Sequence, residues 1–110
     1  MEFSVPERVS LISTLPREGG IETLRILRDL QTALGFSEEE LEKLNLRQED
    51  GRVLWDGKGA EEVGLKEIQV GRAAKRLISK TLEKMDKEEK LPLSFIDLYE
   101  RFVKEDKEEE

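Results

Sequence analysis

Histidine and cysteine are both absent from this chain of 110 residues. Their absence removes the usual nitrogen and sulfur metal ligands, excludes Ser-His and Cys-His nucleophilic arrangements, and rules out a disulfide framework. Aromatic residues are few, with one Trp, one Tyr and four Phe, so no regular array of rings is available for stacking on bases. Long apolar runs are missing too, and none approaches the roughly 18 residues that a membrane-spanning helix needs. The opening Met1–Pro6 has neither the basic region nor the apolar core of a secretory signal. These absences point to the cytoplasm.

Charged residues make up 41% of the chain and hydrophobic residues 36%, a balance that suits helices with one dry face better than a thick buried sheet. The expected fold is mainly α with a small antiparallel β ribbon, a single-domain α+β chain. Residues 1–103 form its compact, mainly helical domain, with an extended insert near residues 46–70. Residues 104–110 form an acidic flexible tail, because Lys104–Glu110 contains no apolar side chain to offset the entropy of ordering.

The net charge is −7, which opposes indiscriminate attachment to nucleic acid or anionic lipid. Locally the sign reverses. Gly71–Lys90 carries seven Lys or Arg against four acids, a balance of +3, whereas Lys104–Glu110 carries two Lys against five acids, or −3. Unlike patches on one chain permit self-association.

Ser4 and Glu7 have capping-box spacing, and Pro6 fits the first turn, so a first helix opens there with Val9 and Ile12, and with them Val5 and Leu15, facing inward. Pro16 stops it, and Gly19–Gly20 supplies a turn without the residues of a phosphate loop. From Ile21 to Leu34 the spacing of Leu24, Leu27, Leu30 and Leu34 marks one apolar helix face, closed by Gly35. Ser37 and Glu40 form a second capping box, with Phe36 and Leu41 at staple positions, which gives Glu38–Glu40 a structural role in place of metal binding.

Asp50–Gly51 tolerates the positive φ of a hairpin turn. It joins the returning strand Arg52–Trp55 to Leu46–Glu49, unless Val53–Trp55 pairs with Ile68–Val70 instead. Asp56–Gly59 lacks the ligand spacing of a calcium loop and reads as an exposed turn. A long helix follows over Gly71–Glu89, with Ala74, Leu77, Ile78, Thr81, Leu82 and Met85 on its dry side. Arg72, Arg76, Lys80 and Lys84 form a basic row across the other side, the candidate charged contact surface. Ser94 with Asp97, and Leu93 with Leu98, repeat the box and staple before a last aromatic helix. Its Phe95, Tyr99 and Phe102, together with the sole Trp55, are the candidate interface residues.

Thr14–Arg25 followed by Leu34–Glu40, with Gly51–Trp55, Glu67–Gly71 and Leu98–Phe102 further on, resembles small uncharacterised proteins encoded by tailed bacteriophages and prophages. The resemblance spans roughly residues 9–103. It implies a phage context in the cytoplasm of a bacterial host and transfers no active site. The expected function is a noncatalytic accessory interaction protein, homo-oligomeric and most simply a dimer, that docks on itself or on a phage or host protein. The alternative is a regulator that binds nucleic acid through its basic helix, or that binds a nucleic-acid-binding protein. No catalytic, cofactor-binding or metal residues are expected, no cofactor and no membrane partner.

Overall fold

The computed structural model describes residues 1–104; most of the expected acidic tail lies outside the described residues. The architecture is mainly helical, with two small antiparallel strand pairs. By contacts it comprises two compact units, residues 1–13 with 32–69, and residues 14–31 with 70 onward.

In the first unit α1 (Val5–Thr14) starts as expected: the Ser4 amide donates to Glu7 Oε1 at 2.9 Å, and the Glu7 amide donates to Ser4 Oγ at 3.3 Å. The buried side of α1 is nevertheless Val5, Arg8 and Leu11, whereas Val9 and Ile12 are only half-buried. Ser37 caps α3 (Glu38–Leu44) in a complete capping box with Glu40. Asn45 ends α3 in the left-handed conformation at φ 48°.

The strands β2 (Arg47–Glu49) and β3 (Arg52–Leu54) then form the hairpin, with Gln48 opposite Val53 and both turn residues at positive φ, Asp50 at 51° and Gly51 at 75°. The alternative pairing of Val53–Trp55 with Ile68–Val70 does not form. A second strand pair, unforeseen in the sequence, joins β1 (Glu2–Phe3) to β4 (Lys66–Glu67), and the Ile68 amide extends it by donating to the Met1 carbonyl at 2.8 Å.

Between these pairs the stretch expected as an exposed turn begins a helix, α4 (Gly57–Val63). The reason is close packing. A Cβ on Gly59 would lie 1.9 Å from the Lys43 carbonyl oxygen, so only glycine lets the start of α4 rest on the end of α3. The Asp56 amide donates to the Leu44 carbonyl at 2.8 Å and ties the same corner, where Leu44 is fully buried.

Helix α2 (Ile21–Leu34) has the expected bounds, with Leu27, Leu30 and Leu34 buried and Leu24 at the exposed edge of the stripe. In the second unit α5 (Arg72–Lys87) buries Ile78, Ser79 and Leu82. The last segment departs from the expected single helix. Leu93–Phe95 is a 3₁₀ turn, α6 (Ile96–Tyr99) is one turn long, and Glu100–Lys104 widens into π-type turns. The third expected capping box, Ser94 with Asp97, does not form: Pro92 precedes the 3₁₀ turn, no side chain caps either start, and Leu93, 84% exposed, is no staple. What fixes this segment is burial of Phe95, Leu98, Phe102 and Val103.

Candidate functional site

Helix geometry explains which part of the basic row can act together. Residues four apart rise about 6 Å along the axis and turn about 40° past a full circle. Arg72, Arg76 and Lys80 therefore lie close to one line, while Lys84 has rotated about 120° from Arg72. The structure agrees. A hollow of about 440 Å³ between α2 and α5 is lined by Thr23, Ile26, Arg72, Ala73, Arg76, Leu77 and Lys80, and Lys84 is not part of it.

Three cations thus frame an apolar floor made by Ile26, Ala73 and Leu77. All four members of the row are exposed, and among the described residues none of them takes part in an ion pair. The hollow also meets the start of α5. Gly71 caps that start without offering any side-chain acceptor, so the positive end of the helix adds to the potential of Arg72. Such a groove can attract an anionic surface and desolvate an apolar side chain at the same time.

The aromatic candidates are distributed differently. Of the candidate interface residues, Phe95 is 5% exposed and Phe102 2% exposed, so both lie within the chain's own core. A short helix with its aromatic face already covered has no such face left to offer. Trp55 and Tyr99 are half-buried, Trp55 directly after β3 and Tyr99 at the end of α6.

A buried charge in the first unit escaped the sequence reading. Arg8 is fully buried, and its guanidinium lies 4.0 Å from the centre of the Phe36 ring. Its Nε donates to the Leu34 carbonyl at 3.0 Å and its Nη2 donates to the Gly35 carbonyl. Its Nη1 donates to Glu40 Oε2 at 2.8 Å, and Nη2 also donates to Oε1 at 3.2 Å. Glu40 in turn accepts from the Ser37 amide at 2.9 Å. The hydrogen bonds from Arg8, with help from the Ser37 amide and the nearby positive charge of Arg8 and Lys66, hold the Glu40 carboxyl down from its ordinary 4.5 to about 2, against the opposing effect of burial.

This pair closes the C-terminal end of α2 and the N-terminal end of α3 with one side chain from α1. Its carboxylate is fully engaged by structural donors, which gives it a fold-holding role. Nearby, an apolar hollow of about 230 Å³ is lined by Val9, Ile12, Ser13, Phe36, Leu46 and Val53, with Ser13 its one polar side chain. Among the described residues no three acidic side chains gather to hold a metal ion, and no helix is long and apolar enough to cross a membrane.

No protein-family model matches this chain, and no curated protein or solved structure matches it.

Proposed function

We propose that the protein is a noncatalytic docking protein that engages an acidic protein surface through the groove between α2 and α5. The observation that carries this reading is the row Arg72, Arg76 and Lys80 around Ile26, Ala73 and Leu77, exposed and without internal ion pairs among the described residues. Charges that serve only to solvate a helix gain nothing from an apolar floor beside them, whereas a docking face uses both. The resemblance of the sequence to small phage and prophage proteins supports a role as an accessory factor in the bacterial cytoplasm during phage development or assembly.

A nucleic-acid regulator is the second reading, favoured by the same exposed row of cations. The net charge of −7 and the apolar floor weigh against it, since phosphate contact uses charge and hydrogen bonds and leaves an apolar floor idle.

Fluorescence anisotropy with labelled polyglutamate and with a short DNA duplex separates the two. The docking reading expects salt-sensitive binding of polyglutamate that is lost in Arg76→Glu/Lys80→Glu. Binding of the duplex with polyglutamate ignored would transfer the function to nucleic acid, and indifference to both would end the docking reading.

A further inference from the structure

We infer that the occupant of the α2/α5 groove is a second copy of this chain, presenting the outer face of its α3 and α4. The inference rests on the docking reading above and adds the identity of the partner surface.

Helices α3 and α4 are packed together at Gly59. They expose Glu38, Glu39, Glu42, Glu61 and Glu62 against two lysines, Lys43 and Lys58. Glu40 is excluded from this face because it is committed to Arg8. Apolar groups are exposed beside the acids: Leu41 in the middle of α3 and Leu65 just after α4. The face is therefore the complement of the groove in both charge and polarity, acids with exposed leucines against cations with an apolar floor.

Two copies each carrying −7 repel at long range, but in about 0.15 M salt that repulsion is screened beyond about 8 Å, whereas charges brought into contact lie inside that distance. Local complementarity then governs the encounter. Burial of Leu41 against Ile26, Ala73 and Leu77 adds a contribution that salt does not screen.

Charge-swapped variants give the test, measured by sedimentation equilibrium on the full chain. Every substituted position is exposed, and thermal melts establish that each variant is folded. The wild type is expected to gain mass with concentration. Arg76→Glu/Lys80→Glu alone, and Glu42→Lys/Glu62→Lys alone, should each associate at least roughly tenfold more weakly. An equimolar mixture of the two should recover association, because each reversed surface meets its opposite. Arg52→Glu/Lys90→Glu shifts the net charge as much as the first variant, lies outside both surfaces, and should associate like the wild type.

A wild type that stays monomeric, or a mixture no tighter than its separate components, would overturn the second copy as occupant. If that monomer still binds polyglutamate through α5, the docking reading survives; if it binds none, both fall together.

Discussion

Replacing Glu40 by Gln removes one charge from the Arg8 node while keeping an oxygen to accept from the Ser37 amide. The carboxyl is held at about 2 in the folded chain against an ordinary 4.5. Each tenfold difference in proton affinity corresponds to about 1.4 kcal/mol, so the gap corresponds to at most about 3.5 kcal/mol of stability at neutral pH. Because 19% of the Glu40 side chain remains exposed, about 2 kcal/mol is the better expectation. The folded value is depressed, so this stability is present in full above the unfolded value and is lost as pH falls through 4.5 towards about 2. Urea titrations of wild type and Glu40→Gln at a series of pH values measure it. The variant should unfold at lower urea at pH 7, with the difference between the two proteins shrinking steadily from pH 5 downward. Equal midpoints at pH 7, or a difference indifferent to acid, would refute the node as described.

Other substitutions test the packing. Gly59→Ala should cost at least about 2 kcal/mol by denaturant unfolding, since the added methyl meets the Lys43 carbonyl and backbone has to move. Ser79 is buried, and among the described residues its hydroxyl finds no hydrogen-bond partner, so Ser79→Ala should raise stability by about 1 kcal/mol in the same assay. Phe102→Ala should lower stability by about 3–5 kcal/mol and leave the concentration dependence of the mass of the folded chain unchanged, as expected of a core residue.

Local grammar was legible in the sequence. The bounds of α2, the two capping boxes at Ser4 and Ser37, the Asp50–Gly51 turn and the basic row of α5 all follow from contacts within a few residues. What escaped depends on distant partners. Arg8 sits at the three-residue step between Val5 and Leu11, where a core position belongs, but an arginine there is legible only once Leu34, Gly35 and Glu40 are known to converge on it. The pairing of β1 with β4 joins two-residue strands more than 60 positions apart, too short to carry an alternating pattern. Glycine at 57 and 59 reads locally as a turn, and only the approach of α3 shows why a helix there requires glycine at 59.

Of the candidate surfaces, the basic row was visible as charge periodicity, whereas its apolar floor needed Ile26 from α2 to be placed beside Leu77. The aromatic residues were ambiguous for the converse reason. Aromatic density in a terminal segment is the same signal whether the rings close the chain's own core or another chain's, and here the core takes Phe95 and Phe102.

The α2/α5 groove is the proposed contact surface, and amide spectra of isotope-labelled protein titrated with polyglutamate probe it directly. Chemical-shift changes concentrated at Thr23, Ile26, Arg72, Ala73, Arg76, Leu77 and Lys80, and abolished by about 0.5 M salt, are the predicted result. Shifts scattered over the surface, or centred on the half-buried Trp55 and Tyr99 with the groove silent, would contradict it.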